Sequence, residues 1–165
     1  MFSIGIHQSE ELMKAACDLN IDETRALISR GYTIDRGDLR TALKATAAGG
    51  RLDIITDLLA VRTSPKLNRE LSDDLFGASL GAFDAGFNDV ALEILIIRDK
   101  LYPGHSLSRR LYYFINVTRR KEADIIEMIG AIYKRLPNMI DSSIMNYANQ
   151  NGYNELSKFL ANLQI

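Results

Sequence analysis

An acidic residue recurs along this chain at positions 22, 53, 89, 124 and 155, so that the intervals are 31, 36, 35 and 31 residues. Seven residues before Asp22, Asp53, Asp89, Asp124 and Glu155 stand Ala15, Thr46, Ala82, Val117 and Ala148, each small or β-branched. Five residues after them stand Leu27, Leu58, Ile94, Ile129 and Leu160, each aliphatic. Three positions held in phase over five copies define an internal repeat. A repeat of this length decides architecture, because each unit is one supersecondary element that can bury its apolar face only against its neighbours. Ile54, Ile55, Leu58 and Leu59 recur at helical spacing, as a core-facing stripe requires. Alanines at 15–16, 45, 47–48 and 82 let the first helix of each unit approach its neighbours closely. The acid then opens the second helix, where unpaired backbone N–H groups and the positive dipole end favour a carboxylate.

The clearest copy runs Thr41-Ala42-Leu43-Lys44-Ala45-Thr46-Ala47-Ala48-Gly49-Gly50-Arg51-Leu52-Asp53-Ile54-Ile55-Thr56-Asp57-Leu58-Leu59. It resembles the ankyrin repeat, with its T-P-L-H-x-A-A start, its G-H-x-E turn and its closing pair of leucines. Leu27-Ile28-Ser29-Arg30-Gly31-Tyr32-Thr33-Ile34-Asp35 resembles the family's L-L-x-x-G-A-D-V-N ending. The copies are worn: Ala42 and Lys44 replace the Pro and His, and the turn glycine is kept at Gly50, Gly86 and Gly152 but is Leu19 and Lys121 elsewhere. The resemblance implies an all-α fold, an ankyrin-like helical repeat solenoid with short hairpin or loop connections. One domain over 1–165 is expected, with repeats near 9–37, 38–72, 73–108, 109–139 and 140–165. Pro65, Pro103 and Pro137 each follow a second helix and punctuate the units.

Composition agrees with a packed single core and narrows function. Hydrophobic residues make up 47% of the chain, and 20 basic against 21 acidic residues leave a net charge of −1, so global charge recruits neither nucleic acid nor anionic membrane. No apolar stretch is long enough to span a bilayer. Met1-Phe2-Ser3-Ile4-Gly5-Ile6 lacks the basic and apolar regions of a secretory signal. Cys17 is the single cysteine, which fits a reducing compartment, so a cytoplasmic protein is expected, with delivery into a host cytosol as a variant of that expectation.

The connections differ in character. Residues 31–40 carry Gly and Asp at turn positions and suit a protruding hairpin, which places Tyr32, Arg36 and Arg40 near its tip. Residues 62–74 suggest a longer, irregular finger with an extra helical turn over Leu67 to Leu71, and Tyr102-Pro103-Gly104-His105 a sharp turn. Catalytic chemistry has little to work with. His7 and His105 are far apart and both fall outside the expected helices, which makes each an ordinary solvated side chain rather than a ligand or base. No phosphate-cradling glycine pattern occurs, Cys17 reads as a half-buried structural thiol, and Asp73-Asp74 as ordinary helix-start charges. No enzyme activity, cofactor or metal is expected.

One cluster rises above this background. Arg109, Arg110, Arg119, Arg120 and Lys121 place five basic groups within thirteen residues, interleaved with Tyr112 and Tyr113. Two readings stand side by side: a solvated rim balanced by Glu122, Asp124 and Glu127, or a groove that accepts an acidic segment. On the second reading, reversing charge at Arg119 and Arg120 abolishes binding and leaves stability nearly unchanged. Tyr112 and Tyr113 are adjacent, so on a helix one faces the core and the other, Tyr113, serves as anchor. The function expected is a non-catalytic protein–protein interaction module, a monomer, that binds a protein partner through Arg109, Arg110, Tyr113, Arg119 and Arg120 with Tyr32, Arg36 and Arg40. The alternatives are a secreted bacterial effector or adaptor, and a binder of nucleic acid or lipid headgroups through residues 109–121.

Overall fold

The computed structural model describes residues 2–64, 69–103, 108–163 and 165. Among these, ten α-helices and one 3-10 turn carry the chain, and no strand forms. The helices gather into two compact units, Met1–Tyr102 and Pro103–Ile165, each with its own core.

In the first unit, α1 (Phe2–Cys17), α3 (Arg36–Ala48) and α5 (Arg69–Asp84) alternate with the shorter α2 (Ile21–Ser29) and α4 (Leu52–Ala60) and with α6 (Asn88–Leu101). Helices pair in sequence, α1 with α2, α3 with α4 and α5 with α6. In addition α3 packs on both α1 and α5, and α4 on both α2 and α6. The burial pattern shows why. On α3, Leu39, Ala42, Leu43, Thr46 and Ala47 are buried, an i, i+3, i+4, i+7, i+8 stripe against which neighbours close. On α5 the buried set widens to Leu71, Ser72, Leu75, Phe76, Ala78, Ser79, Ala82 and Phe83, since this helix meets α3 on one side and α6 on another. The second unit comprises α7 (Ser108–Val117), α8 (Glu122–Arg135), the 3-10 turn Pro137–Met139, α9 (Ser142–Gln150) and α10 (Asn154–Ala161). There α7 packs on α9, α8 on α10 and α9 on α10.

The turn between the helices of a pair has one geometry in four places. Leu19, Gly50, Gly86 and Gly152, each three residues before a repeat acid, hold φ of 57°, 70°, 92° and 78°. The next backbone N–H, on Asn20, Arg51, Phe87 and Tyr153, donates to the carbonyl of Ala15, Thr46, Ala82 and Ala148 at 2.9–3.0 Å. These acceptors are the small residues standing seven before each acid. The arrangement is the left-handed closure that satisfies the last carbonyls of a helix. The fourth copy departs from it: α7 stops at Val117, Thr118 N–H closes on Phe114 O, and Lys121 is extended at φ −72°. Val117 is accordingly 39% exposed, whereas Ala15, Thr46, Ala82 and Ala148 are buried. All five aliphatics after the acids, Leu27, Leu58, Ile94, Ile129 and Leu160, are buried.

Each acid sits one or two residues inside its helix rather than at the N-cap. The N-cap positions are Asn20, Arg51, Phe87, Lys121 and Tyr153, of which Asn20 alone caps through its side chain, accepting from Glu23 N–H at 3.1 Å. Asp53 instead accepts Ile54 N–H at 3.0 Å and grips the Arg51 guanidinium through both oxygens, at 3.0 and 2.8 Å. Arg51 reaches back to the Leu19 carbonyl at 3.3 Å, which ties the second turn to the first.

No hairpin protrudes over 31–40. Ile34 forms an isolated parallel bridge with Arg62, its N–H donating to Val61 O and its O accepting from Thr63 N–H, and the chain enters α3 at once. The reason is local: Asp35 caps Asp38 N–H at 2.9 Å, and the buried Ser9 hydroxyl accepts Asp35 N–H while donating to Asp38. A capped helix start claims residues that a hairpin would otherwise hold. His7 likewise lies within α1. Pro65, Leu67 and residues 104–107, with His105, lie outside the described residues, and α5 begins at Arg69.

Two glycines stand in the middle of α5 where nothing requires them. A Cβ at Gly77 or Gly81 would meet nothing within 4 Å. Gly77→Ala and Gly81→Ala should each raise stability by about 0.5–1 kcal/mol, through helix propensity alone, in urea unfolding followed by circular dichroism. A loss on either substitution would show that this face of α5 is covered.

Candidate functional site

The basic residues expected over 109–121 are divided between the start of α7 and the segment that follows it. Arg110 lies in the first turn of α7, while Arg119 and Arg120 follow its last residue. Arg109 is in that first turn too, and its side chain lies outside the described set. Arg120 is committed locally: its Nε donates to Asp124 at 3.1 Å, and that hydrogen bond, with the charge behind it, holds the Asp124 carboxyl below its ordinary value. Reversing Arg120 would replace this i,i+4 pair with two neighbouring carboxylates at the start of α8, a small cost in stability. Tyr112 stacks on Tyr147 with centroids 4.7 Å apart and planes 13° apart, and Tyr113 is left 59% exposed. Of the two adjacent tyrosines, then, Tyr112 faces inward and Tyr113 outward.

A different group of residues does converge. Arg36, Gly37 and Arg40 of α3 face Glu70, Asp73 and Asp74 of α5 across an open cleft of about 450 Å³. Arg36 pairs with Glu70, and Arg40 Nε lies 3.3 Å from Asp74. Arg36 and Arg40 are one helical turn apart and so share a face of α3, which Lys44 continues by another turn. Glu70 and Asp74 are spaced identically on α5. The cleft thus has a basic wall and an acidic wall, both on the first helices of their pairs.

The electrostatics of the two walls differ. Arg40 remains 62% exposed and Arg36 53%, but the Asp74 side chain is only 15% exposed. Burial pushes the Asp74 carboxyl above its ordinary value, Asp73 adds to this, and Arg40, Arg36 and Lys44 pull it back. Exposed pairs such as Arg36–Glu70 contribute no more than about 1 kcal/mol, so they can open to a partner at little cost. Each guanidinium also carries more N–H donors than one carboxylate can use.

Of the residues expected at a hairpin tip, Arg36 and Arg40 therefore meet in this cleft, on a helix, and Tyr32 does not line it. Sequence reasoning misses Glu70, Asp73 and Asp74 as the second wall. The signal that could have found them is the repeat itself: Glu70 and Asp74 stand 34 residues after Arg36 and Arg40, one unit on. Among the described residues no cluster of His, Cys, Asp and Glu is arranged to hold a metal ion, and no helix is long and apolar enough to cross a membrane. Cys17 is half-buried, and burial, with Asp18 and Asp38 nearby, pushes its thiol above the usual value, which leaves little reactive thiolate near neutrality. Set against known family models, curated proteins and solved structures, the chain finds no match.

Proposed function

We propose that this chain is a non-catalytic protein-interaction module, built as an ankyrin-like stack of helix pairs, that docks a protein partner along its first helices. The observation that carries this reading is the cleft between α3 and α5, where two oppositely charged walls stand on exposed helix faces. The recurrence of one left-handed turn at Leu19, Gly50, Gly86 and Gly152 supports the repeat, and the packing of α3 on both α1 and α5 supports a row of first helices. Such a row offers a firm surface, because buried stripes on the other side hold each helix in place. The partner then presents acidic side chains to Arg36 and Arg40, and the protein works as a monomer in a reducing cytosol.

The test is affinity capture with the parent, Arg36→Glu/Arg40→Glu and Lys14→Glu side by side, read by mass spectrometry and then by titration of the retained protein. A partner held by the parent and by Lys14→Glu should bind the double variant at least about tenfold more weakly, since glutamate removes bidentate donors and adds repulsion. A partner that binds the double variant as well as the parent would move the site away from α3, to the exposed Tyr113 and Arg119. A nucleic-acid partner would announce itself by an affinity that falls steeply with salt.

A further inference from the structure

We infer that the cleft between α3 and α5 selects an extended partner segment whose acidic and basic side chains alternate, acids toward α3 and bases toward α5. The inference rests on the interaction-module reading and adds the charge order of the partner.

The geometry of the walls sets that order. Arg36, Arg40 and Lys44 are spaced by single helical turns, about 6 Å along α3. Glu70 and Asp74 repeat the same interval on α5, opposite Arg36 and Arg40 respectively. In an extended chain successive side chains point to opposite sides, and residues two apart, on the same side, are separated by roughly 6.6 Å. The two periods agree to about a tenth over two or three contacts. A segment lying along the cleft therefore sends every second residue to the basic wall and the intervening ones to the acidic wall. A segment of one charge sign would satisfy one wall and be repelled by the other. A segment with its charges in two blocks would be repelled by half of each.

Access is provided by the residues themselves. Gly37 lies between Arg36 and Arg40 without a side chain. Beyond Asp74 the α5 wall continues through Gly77, which is exposed, with open space where a Cβ would stand. An incoming backbone can therefore approach both helices closely. The Arg36–Glu70 pair is exposed on both sides, and the Arg40 side of the Arg40–Asp74 pair is exposed as well, so both guanidinium groups can exchange an intramolecular partner for an incoming carboxylate. On the acidic wall Glu70 is the open carboxylate, 55% exposed, and Asp74 stands deeper with Arg40 at 3.3 Å.

The test uses capped synthetic peptides of about eight residues, long enough to follow the wall for two to three turns. One alternates Glu and Lys, one has the same composition in two blocks, and one is all Glu. Binding is followed by amide shifts of the labelled protein. The alternating peptide should bind about tenfold more tightly than the block peptide, with the largest shifts at Gly37 and Asp74, and Arg40→Gln should weaken it severalfold. A variant with the walls exchanged (Arg36→Glu, Arg40→Glu, Glu70→Lys and Asp74→Lys) should still prefer the alternating peptide, shifted by one residue. If that variant does not fold, the comparison of peptides on the parent and on Arg40→Gln decides alone. Equal binding of alternating and block peptides, or tightest binding of the all-Glu peptide, would overturn the proposal in favour of a plain anion surface. Shifts confined to residues away from the cleft, or no shift with any peptide, would overturn it too. Neither result touches the broader reading, which is judged by whether the capture experiment yields a protein lost on charge reversal.

Discussion

Leu58→Ala should lower the free energy of unfolding by about 2–5 kcal/mol, measured by urea denaturation with the slope unchanged. Leu58 is completely buried on α4, the helix that meets α2, α3 and α6 in the first unit. Truncation removes the transfer energy of the isobutyl group beyond Cβ and leaves a void. The surrounding side chains, Ile54, Ile55 and Leu59 among them, belong to the same helix and cannot all move inward. Asp53→Ala should cost less, because Asp53 lies near the surface and its ties are to Arg51 and to a neighbouring N–H. A reversed ranking would mean that the repeat phase, which puts Leu58 five residues past the acid, misplaces the core.

The second large effect falls on a residue with no side chain. Gly50→Ala should cost about 2–3 kcal/mol in the same assay. One part is backbone strain, since Gly50 holds φ of +70° and a Cβ in the left-handed region costs about 1–2 kcal/mol. The other part is a collision: the added Cβ would stand 2.7 Å from Phe87 Cδ1, 2.8 Å from Cε1 and 2.9 Å from Cγ. Displacing the Phe87 ring, 41% exposed but seated on this turn, adds about 1 kcal/mol. Gly152→Ala separates the two parts, because Gly152 has φ of +78° but nothing within 4 Å of its would-be Cβ. Equal losses at the two positions would show that the Phe87 ring swings aside freely.

Much of the helical pairing is legible in the repeat. The small residue seven before four of the five acids can be found from sequence because it does two jobs, burying its side chain and accepting the closing hydrogen bond of the turn. The aliphatic five after each acid is readable because burial tolerates only apolar groups there. The fourth copy is readable as weak but not as different. Its Val117 keeps the pattern's chemistry while α7 ends two residues earlier relative to the acid than the other first helices do, which leaves that side chain in solvent. Composition cannot report such a shift in helix length. The site is less legible for a comparable reason. Residues 31–40 have turn-forming composition, yet the local Asp35 cap, braced by Ser9 from α1, turns residues 36–40 into helix. Clustering of charge along the chain points to 109–121, whereas the charges that meet are a full repeat apart on α3 and α5.

Leu19 and Phe87 have a bearing on how such a sequence can change over time. The Leu19 side chain fills the space where a Cβ at Gly49 would stand, and the Phe87 ring does the same at Gly50. A protruding group on one turn is thus matched to a notch on a neighbouring turn, while in the second unit the Phe159 ring of α10 lies against Gly130 within α8. Neither member of a pair is free to drift alone. An alanine at Gly49 should therefore fit only alongside a smaller residue at Leu19. Gly49 meets Leu19 of the preceding turn and Gly50 meets Phe87 of the following one, so this turn is fitted to a different neighbour on each side.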